Sequence, residues 1–101
     1  VRDYASRIFH VHGKDMLIDR EGLYRNGILS QGMGWQVPRL PGLGDMDWRR
    51  FIAALYRAGY DGTISIEHED SLMSGTEGLK KAIAFLKEVV VTEPAGEAYW
   101  A

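Results

Sequence analysis

A chain of 101 residues with 46% apolar and 26% charged residues has the balance of one small globular domain, not of a disordered segment. A net charge of -2 with scattered basic residues gives no footprint for nucleic acid or for an acidic membrane surface, and no apolar run approaches the roughly 20 residues of a membrane span. The absence of cysteine excludes disulfides and thiolate metal sites, and with no secretory signal at the first residues the expected location is cytoplasmic.

Residues 7–12, "RIFHVH", predict a first strand, with Ile8, His10 and His12 on one face and Phe9 and Val11 on the other. Gly13 ends it. Residues 16–46 show little sustained periodicity, beyond a helical turn in "REGLYRNGIL", and predict a loop rich in Gly and Pro. Loops of that length in a small domain are more often functional than idle. Trp48, Phe51, Ile52, Leu55 and Tyr56 then recur at helical spacing, with Asp47 at the N-cap position and Gly59 as the stop, so a helix is expected over 48–58. Asp61-Gly62 turns the chain into a second strand over 63–67, with Ile64 and Ile66 on one face and Thr63, Ser65 and Glu67 on the other. The last helix is expected over 77–90, along the stripe Leu79, Ala82, Ile83, Leu86, Val89 and Val90. Ser74 and Glu77 form a capping-box pair there, and Thr76 competes for the cap. Tyr99 and Trp100 either dock the C-terminal tail or leave it frayed.

The order strand, loop, helix, strand, helix points to an α/β architecture with parallel strands. Ligands of such sheets bind beyond the carboxyl ends of the strands. His12 ends the first strand and Glu67 the second, so both belong to one edge. An imidazole with a carboxylate suits Mn, Co, Zn or Mg. The plainer readings are a structural histidine, a solvated strand-end glutamate, and Asp15 capping a turn with Lys14 paired to it.

"RIFHVHGKDM", "RLPGLGDMDWRRFIAALYRAGYDG" and "ISIEHED", in series, resemble the last two β/α units of the xylose isomerase-like TIM barrels. That is the sugar phosphate isomerase/epimerase superfamily, which includes inosose dehydratases and ketose 3-epimerases. The resemblance covers residues 7–90 and implies a partial barrel domain across 1–101, a βαβα segment with parallel strands. In such barrels two Glu, one Asp and one His hold a divalent metal at the C-terminal rim. His12 resembles the His ligand on strand seven. Glu67 resembles the Glu ligand on strand eight, with a further role as catalytic base. Arg39 and Lys14 are the residues expected to bind the substrate, a sugar or polyol. The metal would be Mn, Co, Mg or Zn, and the chemistry isomerisation or epimerisation by proton transfer next to a metal-bound carbonyl or hydroxyl, within carbohydrate metabolism.

A complete barrel needs about eight such units and about 250 residues. Two units carry only two of the four ligands, so the chain is expected to be inactive alone. The missing N-terminal barrel part lies in a longer enzyme, or copies assemble into a homo-oligomer. The alternative is a truncated, non-catalytic α/β interaction module that self-associates. Phe9, Val11, Ile64 and Ile66 are expected to be covered by the two helices, leaving the opposite face open. His12, not His10, is the expected ligand. His10 lies about 6.5 to 7 Å deeper along the strand, where a hydrogen-bonded histidine in a packed layer is expected. His12 and Glu67 should converge on a common point.

Overall fold

A computed structural model describes residues 1–93 and 96 of the chain; Tyr99 and Trp100 lie outside the described residues. After a 3-10 segment, Arg2–Arg7, the elements are β1 (Val11–Gly13), β2 (Asp15–Ile18), α1 (Arg20–Asn26), β3 (Gln36–Arg39), α2 (Trp48–Arg57), β4 (Ile64–Ile66) and α3 (Gly75–Val89). β1 and β4 pair in parallel, with Val11 opposite Ile64, His12 opposite Ser65 and Gly13 opposite Ile66. The chain is thus a mixed α/β unit whose central pair is parallel, joined by a crossover through α2, as in two consecutive units of a TIM barrel.

Both long helices start where the sequence supplies a cap. The Asp47 side chain accepts the Arg50 N–H at α2, and Ser74 accepts the Glu77 N–H at α3. Ser74 rather than Thr76 is therefore the cap, and α3 begins at Gly75, two residues before the expected start. α2 closes at Ala58, and Gly59 follows at φ 80°, a conformation that favours glycine.

The core forms where α2 and α3 cover one side of the parallel pair. Val11, Trp48, Ile52, Leu55 and Leu86 are buried together, flanked by Ile8, Phe51, Tyr60, Ile64, Ile66 and Phe85. Burying each large apolar side chain contributes about 1.5–3 kcal/mol. Leu79 and Ile83 of the expected α3 stripe and Tyr56 of α2 are exposed instead.

Two expectations are corrected. The strand placed at 7–12 is regular only over 11–13. β4 offers just three ladder partners, and upstream of Val11 the alternation breaks. Ile8 packs on the core, and Phe9 is 83% exposed rather than covered by the helices. The segment 16–46 is not one loop. β2 and β3 pair antiparallel, Leu17 opposite Val37, and carry α1 between them. Met16-Leu17-Ile18 lacks alternation and Pro38 interrupts the partner strand, so neither reads as a strand by pattern.

The radius of gyration is 16.4 Å, against about 13 Å for a closed domain of this length. Among the described residues no helix is long and apolar enough to cross a membrane.

Candidate functional site

β1 buries Val11 and Gly13 against the helices, so His12 between them projects to the other side of the sheet. Glu67 follows β4 directly. Its N–H donates to the Gly13 carbonyl at 3.0 Å, which extends the ladder by one step and returns the side chain to the His12 side. His12 Nδ1 and Glu67 Oε1 consequently lie 2.5 Å apart at the carboxyl edge of the sheet. Lys14, two residues beyond His12, brings its Nζ to 3.0 Å from Glu69 Oε1 and 3.8 Å from Glu67 Oε2. Lys14 thus pairs with the glutamates after β4 and not with Asp15.

His10 lies on the same side as His12, their rings edge-on at 5.3 Å. Its Nε2 is 2.8 Å from Ser65 Oγ. It is exposed rather than set in a packed layer, because no described element covers this face of the sheet.

The donor set accommodates half of a metal site. An imidazole nitrogen and a carboxylate oxygen both carry lone pairs, so at this separation a shared proton joins them, and an ion held by both would need the two groups to part slightly. Nitrogen plus oxygen is a ligand combination used by Zn, Mn and Co, and the carboxylate alone suits Mg. Among the described residues no group of three or more His, Asp or Glu is arranged to hold an ion.

Arg39 sits on β3 rather than in a loop. Its Nε donates to Asp70 Oδ2 at 2.7 Å, and no contact joins it to His12 or Glu67 among the described residues. The Asp70 side chain is fully buried and also accepts the N–H groups of Leu40 (3.3 Å) and Leu72 (2.9 Å). Burial pushes its carboxyl upward. The Arg39 hydrogen bond, the Leu72 and Leu40 N–H groups and the guanidinium charge outweigh that, and the pKa lies below the ordinary 3.8.

Two further polar residues shape this edge. Asp15 is 2% exposed, and its carboxylate accepts from the N–H groups of Met16, Gly42, Gly44 and Met46 and from the Trp48 indole. A turn-capping aspartate understates that role; the signal for it was the spacing of glycines and tryptophan in "PGLGDMDW", a run of free donors awaiting an acceptor. His68 Nδ1 accepts the Asp70 N–H at 3.2 Å, which leaves Nε2–H to donate to the Ser74 carbonyl at 2.9 Å and fixes the tautomer. A hollow of about 710 Å³ lies elsewhere, between the N-terminal segment and α2, and contains none of these residues.

Over residues 2–89 the sequence matches the family model of the xylose isomerase-like TIM barrel. It is 31% identical over 97 residues to the uncharacterized protein YfiH of Bacillus subtilis (strain 168), an alignment covering 88% of this chain and 31% of that protein. The chain therefore spans about a third of the length of the curated relative it matches.

Proposed function

We propose, from the premise that this chain belongs to the xylose isomerase-like TIM barrel family, a sugar isomerase/epimerase superfamily, that it supplies the last two β/α units of a barrel acting on a sugar or polyol. The observation that carries this is the meeting of His12 and Glu67 at the carboxyl edge of two parallel strands. His12, as a neutral imidazole, and Glu67 would hold a Mn, Co, Mg or Zn ion. The chemistry supplied when the ion is bound is Lewis-acid polarisation of a hydroxyl or carbonyl oxygen, which acidifies the adjacent C–H.

The chain's own groups do the rest. Glu67 has two oxygens. Oε1 faces His12, while Oε2, 3.8 Å from Lys14, is placed to take or return the substrate proton. The Lys14 ammonium orients a substrate oxygen. Arg39 commits Nε to Asp70, and its terminal nitrogens, which make no hydrogen bond among the described residues, would take a substrate oxygen. The remaining carboxylate ligands come from β/α units outside this sequence, so these residues turn over no substrate by themselves. A cytoplasmic location belongs to the same proposal and rests on the cysteine-free composition.

A self-associating, non-catalytic module is the second reading. Phe9, 83% exposed, and the uncovered sheet face carrying His10 and His12 favour it. Isothermal titration with MnCl2 separates the two. Submillimolar binding lost in His12→Ala and Glu67→Ala supports the metal site. Binding weaker than millimolar and indifferent to both substitutions, together with a concentration-dependent mass in sedimentation, supports the module.

A further inference from the structure

Two buried carboxylates occupy matching places. Asp15 stands three residues after His12, and Asp70 three residues after Glu67. They are 2% and 3% exposed, and neither touches the His12–Glu67 pair. Both instead hold the same stretch of chain, residues 39–48. Asp70 takes its beginning, accepting from Arg39 Nε at 2.7 Å and the Leu40 N–H at 3.3 Å. Asp15 takes the remainder, accepting from the N–H groups of Gly42 (3.1 Å), Gly44 (3.2 Å) and Met46 (3.1 Å) and from Trp48 Nε1 (2.8 Å). Leu40 and Pro41 between them are fully buried, and a Cβ at Gly44 would overlap the Asp15 carboxylate, so the stretch has little room to shift.

The ladder by itself leaves the strand ends loosely defined. β1 and β4 share three residue pairs, and the last bond between them is Glu67 N–H to the Gly13 carbonyl. Beyond it the strands part: Lys14 reaches Glu69 on the exposed side at 3.0 Å, and in the interior Asp15, the first residue of β2, and Asp70 are joined through residues 39–48.

We infer that Asp15 and Asp70 are positioning residues that, through the brace 39–48, set the separation of the two strand ends and so the meeting of His12 with Glu67. The inference rests on the reading that His12 and Glu67 act together, and it assigns the alignment of two ligands on separate strands to one shared segment. Neither aspartate contacts substrate or ion in this scheme.

The test uses the 101-residue chain, uniformly labelled with nitrogen-15 and free of metal. Long-range proton–nitrogen correlation of the His12 imidazole reports its bond to Glu67, and Glu67→Gln marks the signals of the altered pair. Asp15→Asn and Asp70→Asn keep side-chain size but turn an amide toward groups that need an acceptor. Both should move the His12 ring signals toward those of Glu67→Gln, whereas Asp19→Asn, at the cap of α1, should leave them in place. Mn²⁺ affinity should fall about tenfold in both. If either variant fails to fold, Trp48→Phe removes a single donor to Asp15, and Arg39→Gln removes the guanidinium from Asp70; the same ring shift is expected. Folded variants with wild-type His12 signals overturn the inference. A wild-type chain that binds no Mn²⁺ would instead remove the metal reading, and the ring signals would still decide the brace.

Discussion

The Asp15 carboxylate and the Trp48 indole, 33 residues apart in sequence, meet at 2.8 Å in the interior, where Nε1–H donates to Oδ2. The bond ties the first residue of β2 to the first residue of α2, and four backbone N–H groups converge on the same carboxylate. Asp15→Ala removes the acceptor for all five donors at once. A buried donor left without a partner costs about 1–3 kcal/mol, and some of these would reach water as the loop opens. The expected loss is about 3–5 kcal/mol, placing the substitution in the severe tail of single mutants. Urea unfolding followed by tryptophan fluorescence measures it; a loss below about 1 kcal/mol would show that the loop holds without its anion.

Asp70 makes the chain acid-sensitive in a defined direction. Its folded pKa lies below the ordinary 3.8, so below about pH 4 the unfolded chain takes up a proton that the folded chain resists. The contribution is fully present above that value and is lost as pH falls through the depressed one. The urea midpoint should therefore drop with acid below about pH 4 more steeply in the wild-type chain than in Asp70→Asn. Equal slopes in the two proteins would mean that the Arg39 bond does not hold the carboxyl ionised.

His10 and His12 share a side of the sheet, yet their substitutions should behave differently. His12→Ala removes the nitrogen that faces Glu67 and should abolish Mn²⁺ binding measured by calorimetry. His10→Ala removes an exposed ring whose hydrogen-bond partner is Ser65, and surface changes of that kind stay within about 0.5 kcal/mol. It should leave both the affinity and the urea midpoint close to wild type. An equal loss of Mn²⁺ binding in the two variants would contradict the assignment of His12 as the ligand.

The parallel pair and its two helices were legible because their signals are local. Asp47 and Ser74 cap the helices, Trp48, Phe51, Ile52 and Leu55 keep a helical period, and Ile64 and Ile66 alternate. The convergence of His12 with Glu67 followed from strand-end position and parity, which parallel pairing converts into proximity. The β2–α1–β3 arm was not legible: its strands have four residues each, one without alternation and one containing Pro38. The buried placement of Asp15 and Asp70 could not be read from their neighbours either. Their donors lie mostly at separations of 27 to 33 residues and meet them only once the whole edge has folded.

Two glycines at the start of α3 predict opposite responses to the same substitution. Gly75 is the first residue of the helix, and a Cβ there meets nothing within 4 Å. Gly75→Ala lowers the entropy of the unfolded chain at no steric cost and should stabilise by about 0.4–1 kcal/mol. Gly78 lies one turn on and is buried. A Cβ there would stand 2.5 Å from His68 Nε2 and 2.5 Å from Leu40 Cδ1. Neither neighbour can yield freely. His68 is held at both ring nitrogens, by the Asp70 N–H and the Ser74 carbonyl, and Leu40 is fully buried beside the Arg39–Asp70 bond. The overlap must therefore displace the loop after β4 or the start of α3. Such overpacking costs about 1–3 kcal/mol, more than the helix-propensity gain of about 1 kcal/mol from replacing glycine. Gly78→Ala should lower the urea midpoint while Gly75→Ala raises it. Because the displaced loop carries Glu67, Gly78→Ala should also weaken Mn²⁺ binding, and Gly75→Ala should not. A Gly78→Ala chain as stable as wild type would mean that His68 and Leu40 repack without disturbing the strand end.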